Sequence, residues 1–373
     1  MLEHFYYGQL VAGGRLSGEA RLLASSPGVR AEQVVEALKV ARLPAPAEPP
    51  IGAFALLRGA STPFFIVQSA KTTGESASRH VLIVPPDVLR ALGGNLKALM
   101  SFVQPIMPLF EITGQHLPPL SVPQAGLPAP AAQQTAMLDL MTFTRDRLNV
   151  IERLLAAIVQ DAPLIVTGAP AELQPRIGFI EGLLALLPPP ARYGITFATH
   201  TGPDSKLDAQ IRFVDEAPAD APENAVLYQW GDSKLSGAQP EDVYSGFITS
   251  QLRLDTGLVI EQTRALTPVA GWRIRRGDKL DDALAYASYR LSVDNAVANH
   301  LPAEARDVAA VLSDDPTLSE ALRLAYVRHL LVFALALDEE TNADLLLDVA
   351  RGQPDLERML FDEMNAAISG GQG

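Results

Sequence analysis

The chain has 373 residues, which at roughly 150 residues per domain is enough for two or three domains. Its hydrophobic content of 48% and charged content of 20% are typical of a globular protein with a large core. The formal net charge of −13 argues against nucleic acid as a partner, because phosphate contacts need clustered lysines and arginines. The chain has no cysteine, which excludes disulfides, thiolate nucleophiles and cysteine-based zinc sites.

The hydropathy pattern does not predict a membrane protein. The first residues, Met1–Tyr6, contain no basic region followed by an apolar one, so no secretory signal is predicted. The most apolar helical segment is 318–337, and its uninterrupted apolar run is much shorter than the ~18 residues of a membrane span. It is broken by Glu320, Arg323, Arg328 and His329. We therefore expect no membrane insertion and a cytoplasmic location.

Residues 1–116 predict a small α+β domain. Aromatic and β-branched runs indicate strands, and apolar side chains at helical spacing indicate helices. The predicted strands are 4–11, 21–26, 53–58, 64–69 and 80–84, and the predicted helices are 30–41 and 88–103. Gly93 and Gly94 weaken the second helix, since each glycine costs about 1 kcal/mol relative to alanine. The order β-β-α-β-β-β-α is similar to that of longin and roadblock domains, small modules that bind or regulate GTPases.

A proline-rich segment, 117–134, follows this domain. Its prolines are Pro118, Pro119, Pro123, Pro128 and Pro130. A segment with so many prolines is not expected to form a helix or a central strand, and it favours an extended tether. We therefore predict a domain boundary here.

Residues 135–275 contain the clearest alternation of helices and strands in the chain. The predicted helices are 135–160 and 171–187, and the predicted strands are 163–168, 193–201, 210–214 and 225–230. Such alternation favours a mostly parallel sheet covered by helices. The predicted fold class is therefore α/β, with an α+β amino-terminal lobe, an α/β middle lobe and an all-α carboxy-terminal lobe.

The turn after the first strand of the middle lobe lacks the residues of a nucleotide-binding loop. A phosphate loop needs several glycines, then a lysine for the phosphates and a serine or threonine for magnesium. The segment Thr167–Arg176 has one glycine, Gly168, and no lysine. Glu172 stands near the predicted helix start, where it would repel a phosphate. We expect an ordinary strand-to-helix turn here, and no cofactor.

The strand 193–201 carries the best candidates for a ligand site. Thr199, His200 and Thr201 stand at its carboxyl end, where open α/β sheets bind ligands, and Arg192 stands at its beginning. A single histidine without a neighbouring nucleophile or paired carboxylate is more often structural than catalytic. We therefore assign no catalytic residue and treat these four as ligand candidates.

Residues 276–369 predict a helical domain, in which short loops imply antiparallel neighbours. Two pairs of acids, Asp281-Asp282 and Asp314-Asp315, stand at predicted helix starts, and capping explains them better than metal binding. No zinc motif occurs elsewhere, so no metal is expected. The glycine-rich tail, 370–373, is predicted to be disordered.

Short motifs in the first two lobes resemble a known family. The runs Phe5–Gly8, Leu16–Gly18 and Arg21–Gly28 resemble the N-terminal domain of bacterial GTPase-associated proteins. The runs Leu183–Pro188 and Arg192–Thr199 look like the middle domain of that family. The resemblance implies a small Ras-like GTPase as partner, in bacterial signalling or conflict systems. It carries no catalytic residue over to this chain.

The order of the three lobes is also similar to that of DENN-type exchange factors, which implies that a GTPase would dock across the first two. One hypothesis is therefore a non-catalytic adaptor or regulator of a small GTPase, with nucleotide exchange as one form of regulation. The alternative is an α/β enzyme that acts on a small phosphorylated or acyl substrate through Arg192 and the strand end Thr199–Thr201.

Overall fold

The computed structural model of the chain describes residues 1–13, 15–43, 53–61, 63–71, 77–104, 106–122, 126–202, 207–301, 305–337, 340–351 and 353–369. The chain divides into two compact units. The first comprises Met1–Thr267 and Lys279–Asp281, and the second comprises Pro268–Asp278 and Asp282–Gly373. The tail 370–373, predicted to be disordered, lies outside the described residues.

The amino-terminal part of the first unit has the predicted order β-β-α-β-β-β-α. Its elements are β1 (Glu3–Ala12), β2 (Arg15–Ser25), α1 (Ala31–Val40), β3 (Ala53–Arg58), β4 (Phe64–Lys71), β5 (Ala77–Val84), α2 (Pro86–Leu92) and α3 (Leu96–Met100). The predicted helix 88–103 is therefore two short helices. Gly93 and Gly94 separate them with φ values of +53° and +78°, in the left-handed region that favours glycine.

The remaining elements of the first unit alternate between helices and short strands. They are β6 (Gln115–His116), α4 (Pro130–Phe143), α5 (Leu148–Val159), β7 (Leu164–Thr167), α6 (Leu173–Ala185), α7 (Pro189–Arg192), β8 (Phe197–Thr201), β9 (Ile211–Val214), β10 (Val226–Gln229), β11 (Lys234–Gly237), α8 (Val243–Leu254) and α9 (Thr256–Ala265). The predicted helix 135–160 is divided, because Arg145 and Asp146 adopt positive φ values of 53° and 56°. The predicted strand 193–201 begins only at Phe197, after the turn of helix α7.

Eleven strands of the described residues form one mixed sheet, in the order β11-β10-β7-β9-β8-β3-β4-β5-β1-β2-β6. The four strands β10, β7, β9 and β8 are parallel, as expected for the middle lobe. The amino-terminal strands β3, β4, β5, β1 and β2 are antiparallel. An antiparallel pairing of β3 with β8 joins the two parts, with Ala55 opposite Ala198. The α/β fold class is confirmed.

The proline-rich segment 117–134 differs from the predicted tether. Leu2 and Leu120 exchange backbone hydrogen bonds of 2.7 and 2.9 Å, and Leu117 N donates to Ser25 O at 3.0 Å. Helix α4 begins at Pro130, because a proline at the first helical position loses no hydrogen bond. Leu117 and Leu120 therefore bind to the sheet and residues 130–134 start a helix, and the boundary predicted here falls inside the first compact unit.

The core of the first unit lies on both sides of the sheet. Helix α5 is buried along most of its length, from Val150 to Val159. Helix α6 packs closely on α4 at Gly182, where an added Cβ would lie 2.7 Å from Ala136 O. Helix α1 packs with β3, β4 and β5 in a second apolar cluster around Phe65.

The second unit is helical, as predicted. Its helices are α10 (Thr267–Arg275, whose first residue belongs to the first unit), α11 (Leu280–Ala298, whose first two residues belong to the first unit), α12 (Ala305–Asp314), α13 (Glu320–Leu337), α14 (Glu340–Ala350) and α15 (Pro354–Ser369). Asp315 does not begin a helix, contrary to the prediction. It is completely buried and forms an ion pair with Arg290, while its other oxygen accepts from Thr317 N at 2.8 Å. Asp281 and Asp282 lie in the first turn of α11.

Candidate functional site

The carboxyl ends of the parallel strands meet at one edge of the sheet. In the β7–β9 ladder Thr167 is opposite Val214, and in the β8–β9 ladder Thr201 is opposite the same residue. The residues that follow these strands, Gly168 and Asp215, therefore lie at the same edge. Open α/β sheets bind their ligands at such an edge, so we take this strand-end site as the first candidate.

Thr199 uses its hydroxyl group to join the two parts of the sheet. Its Oγ1 accepts a hydrogen bond from Phe54 N at 2.9 Å and donates one to Phe54 O at 3.0 Å. Thr199 is buried, so these bonds replace the water that the Phe54 backbone would otherwise need. The hydroxyl therefore serves the β3–β8 junction, and neither its proton nor its lone pair is directed to a substrate.

His200 is the most exposed of the four sequence candidates, with 15% of its side chain exposed. Its Nδ1 lies 3.9 Å from Asp215 Oδ1, and that carboxylate is 72% exposed. Burial lowers the pKa of His200, and Asp215 opposes this shift while Arg176 adds to it. His200 is therefore a largely neutral imidazole at neutral pH. The neighbouring Thr201 is buried, and its hydroxyl has no partner among the described residues.

Arg176 is a residue of this edge that the sequence did not single out. It lies in the first turn of α6, yet it is only 6% exposed. Its Nε donates to Pro170 O at 2.6 Å, Nη2 donates to Ala169 O at 3.4 Å, and Nη1 donates to Thr199 O. Burial lowers the pKa of Arg176, which Asp215 and Glu172 partly offset. The signal in the sequence is its position three residues after Leu173, on the apolar face of the helix.

The turn between β7 and α6 is therefore filled by a side chain of the protein itself. In a phosphate loop the backbone of this turn surrounds the phosphate. Here the guanidinium of Arg176 bonds to the carbonyls of Ala169 and Pro170, and it also lies 5.7 Å from the centre of the Phe213 ring. The turn is ordered by internal hydrogen bonds, as expected for an ordinary strand-to-helix turn.

Arg192, the fourth candidate, belongs to a different place in the unit. It lies in α7, before the amino end of β8, whereas His200 stands near the carboxyl end of that strand. Its side chain packs on the backbone of Gly94, and its Nε donates to Leu187 O at 2.7 Å. The structure therefore brings Thr199, His200 and Thr201 together but separates Arg192 from them.

A second candidate is an apolar surface on the segment that follows α3. Ile106, Leu109 and Ile112 are exposed to 82%, 56% and 64%, while Met107 and Phe110 between them are buried. The two buried residues pack in a cluster with side chains of β1 and β2. The backbone is held by a 2.9 Å hydrogen bond from Val11 N to Phe110 O. We call the three exposed side chains the 106–112 surface. Patches of exposed apolar side chains mark protein interfaces, so we take these three as the second candidate.

The described residues contain no group of three or more His, Asp or Glu side chains that could hold a metal ion. No helix within them is long and apolar enough to cross a membrane. No family model matches the chain, and no curated protein matches it.

Proposed function

We propose that the chain is a non-catalytic adaptor or regulator that binds a small Ras-like GTPase. The observation that carries the non-catalytic part is the double hydrogen bond between Thr199 Oγ1 and the Phe54 backbone. These two bonds commit the Thr199 hydroxyl to the backbone, so that His200 cannot use it as a nucleophile. Catalysis by a histidine and a hydroxyl needs the two groups within hydrogen-bond reach of each other and of a substrate.

The choice of a GTPase as partner rests on the resemblance of the motifs. The runs Phe5–Gly8 and Arg21–Ser25 of that resemblance lie in β1 and β2, which pair with each other. The segment that carries the 106–112 surface packs on the same two strands through Met107 and Phe110. We therefore propose that the GTPase docks on this end of the sheet. The formal net charge of −13 would favour a partner with a basic contact region.

The partner is tested by affinity capture from the native host with the full chain as bait. The lysate is divided and loaded with GDP or with a non-hydrolysable GTP analogue, and bound GTPases are identified by mass spectrometry. Any GTPase recovered is then purified and its release of a fluorescent nucleotide is measured with and without the chain. Recovery of no GTPase in either nucleotide state contradicts the proposal.

The docking surface is tested with matched variants. Ile106→Ser, Leu109→Ser and Ile112→Ser are combined, because these side chains are exposed and their loss leaves the buried Met107 and Phe110 in place. We expect affinity for the GTPase to fall at least about tenfold, since apolar anchors dominate interface energies. The control combines serine substitutions at three exposed apolar residues of α4 and α8, Leu138, Val243 and Leu254. A loss of binding in the control variant alone would move the interface elsewhere.

The enzyme alternative is tested at His200. The chain is mixed with nucleotides, phosphorylated sugars and acyl thioesters, and binding is measured by calorimetry for the native protein and for His200→Ala. A catalytic or ligand-binding strand end predicts binding that the substitution abolishes. The hydrogen bonds of Thr199 and Arg176 at this edge predict no binding in either protein.

A further inference from the structure

A pocket of about 210 Å³ lies in the first unit, between α3, the start of α4 and α6. It is smaller than the roughly 300–1,000 Å³ of pockets for drug-sized ligands, so its occupant would be a small molecule. The pocket is distinct from the strand-end site, because none of the residues Thr199–Thr201 lines it. Arg192, which lies apart from the strand-end site, does line this pocket.

The Gly93-Gly94 turn makes room for Arg192. An added Cβ at Gly94 would lie 2.6 Å from Arg192 Cβ and 2.9 Å from its Cδ, distances that real Cβ atoms do not show. A side chain at position 94 would therefore displace the arginine. The same turn is continued by Asn95, whose side chain accepts from Ala98 N at 3.1 Å and donates to Gly126 O at 3.0 Å. The turn thus fixes both the arginine and the rim of the pocket.

The guanidinium of Arg192 has unused hydrogen-bonding capacity. The residue is only 4% exposed, and its Nε donates to Leu187 O. Neither Nη1 nor Nη2 has a hydrogen-bond partner or an ion pair among the described residues. Burial lowers the pKa of Arg192 to about 10, with Tyr244 opposing the shift, so the group stays charged at neutral pH. A buried charge without a counter-ion is costly, and a bound anion would remove that cost.

Two other charged side chains line the pocket, Lys97 and Glu181. Burial raises the pKa of Glu181, while Lys97 lowers it and Asp139 adds to the rise. With all three side chains ionised, the lining carries one net positive charge. This balance matches a ligand with a single negative charge better than a phosphate dianion.

The rest of the lining is mainly apolar and small. Leu96, Leu184 and Ala132 contribute aliphatic surface, and Ala136 and Ala185 keep the space between α4 and α6 open. Such walls favour a ligand whose body is a short hydrocarbon chain or ring.

We propose that this pocket binds a small monocarboxylate with an apolar body, held by a forked hydrogen bond from Nη1 and Nη2 of Arg192. The planar guanidinium matches the two oxygens of a carboxylate, and hydrogen bonds between charged groups are among the strongest in proteins. The site acts by binding alone and involves no chemical step. The carboxylate site and the GTPase partner are independent proposals, and an experiment that contradicts one leaves the other unaffected.

The ligand class is tested by titrating small molecules into the full chain. Binding is measured by calorimetry and by the ¹⁵N chemical shifts of the backbone amides. The probes are 4-methylpentanoate and benzoate, with 4-methylpentan-1-ol as the uncharged analogue and inorganic phosphate as the competing anion. We expect both carboxylates to bind at millimolar or lower concentration and to shift the amides of α3 and α6. Failure of both carboxylates to bind overturns the proposal, and so does equal affinity for the alcohol or for phosphate.

The pocket is tested with a pair of neighbouring variants in α4. Ala132→Phe places a ring in the pocket without touching the buried charge, whereas Ala131→Phe adds the same ring at an exposed position outside the lining. Carboxylate affinity should fall at least about tenfold in Ala132→Phe, because the ring fills the space that the ligand needs. It should stay within about twofold of the native value in Ala131→Phe. Equal affinity in both variants would contradict binding at this site.

The forked contact is tested with Arg192→Lys and Arg192→Met. Lysine keeps the charge but loses the planar fork, so we expect affinity about tenfold weaker, and with methionine no measurable binding. Circular dichroism shows whether each variant folds. If Arg192→Met does not fold, the Ala132→Phe and Arg192→Lys results decide, and native affinity in Arg192→Lys overturns the forked contact.

Discussion

Arg176 and Arg192 are two buried arginines of the same compact unit, and they differ in what surrounds the guanidinium. They are almost equally buried, at 6% and 4% exposure, and burial lowers the pKa of both. Arg176 donates to three backbone carbonyls from all of its nitrogens. Arg192 donates to one carbonyl, from Nε.

This difference separates a structural arginine from a binding arginine. A guanidinium whose three nitrogens all donate to backbone carbonyls holds loops together. A charged guanidinium with unused donors beside a pocket can still bind an anion. In other α/β proteins the strand ends are the usual place for a ligand. In this protein they contain the structural arginine, Arg176. The binding arginine lies at the other end of β8, beside the Gly93-Gly94 turn.

The largest expected effect comes from Arg176→Met. The substitution leaves the carbonyls of Ala169, Pro170 and Thr199 without a donor, so we expect the free energy of unfolding to fall by about 4 kcal/mol. Urea denaturation of the native and variant proteins measures the difference. Arg192→Met, which removes one carbonyl contact, should cost much less. If Arg192→Met is the more damaging of the two, the division between a structural and a binding arginine is wrong.

Thr199→Val tests whether the hydroxyl at the strand end is structural. Valine has the same shape as threonine but neither accepts from Phe54 N nor donates to Phe54 O, so we expect a loss of about 2 kcal/mol in unfolding free energy. Thr199→Ser keeps the hydroxyl and should retain most of that stability. An unchanged denaturation midpoint in the valine variant would free the hydroxyl for a ligand and would revive the enzyme alternative.

His80 shows what burial does to a weaker base. It is completely buried in β5, its Nε2 lies 2.9 Å from His4 Nδ1, and the Tyr6 ring stacks on it at 4.3 Å. His4 Nε2 lies 3.0 Å from Pro118 O, which can only accept, so His4 is protonated at Nε2 and its Nδ1 accepts from His80. Burial, with His4, lowers the pKa of His80 from 6.5 to about 3. This pair binds the start of the proline-rich segment to β1.

The unfolded chain therefore takes up a proton at His80 before the folded chain does. The stability contribution is complete above pH 6.5 and is lost as the pH falls from there towards 3. Between pH 7 and 5.5 we expect His80 to account for a loss of about 1 kcal/mol. Urea titrations of the native protein and of His80→Gln across this range give the difference. The same pH slope in both proteins would remove His80 as the cause.

The sequence indicated the elements well and their long-range partners poorly. The α/β class and the order β-β-α-β-β-β-α follow from local periodicity and turn residues, which is information that short segments carry. The pairing of β3 with β8 depends on Thr199 and Phe54, which are far apart in the chain, and no local pattern reports it. The proline-rich segment differs from the predicted tether for the same reason, because Leu120 exchanges backbone hydrogen bonds with the distant Leu2.

The site was only partly visible in the sequence. Thr199, His200 and Thr201 are neighbours in the chain, so their grouping at the strand end was readable. Arg192 was grouped with them because it begins the same predicted strand, but α7 separates it from the carboxyl end. In the sequence, Gly93 and Gly94 only weakened the predicted helix 88–103. Their role depends on the approach of Arg192, almost a hundred residues later, and only the fold brings the two together.

The smallest expected effect is a change in carboxylate binding at alkaline pH. The pKa of Arg192 in the folded protein is about 10, below its ordinary value of 12.5, so folded protein loses this charge first as the pH rises. Affinity for 4-methylpentanoate should be constant from pH 7 to 9 and about twofold weaker at pH 10, where half of the groups are neutral. Arg192→Lys gives a matched comparison, because it titrates with a different group in the same place. Calorimetry at each pH, in buffers of equal ionic strength, measures the change. An affinity that stays constant through pH 10 in the native protein would contradict the loss of the Arg192 charge in this range.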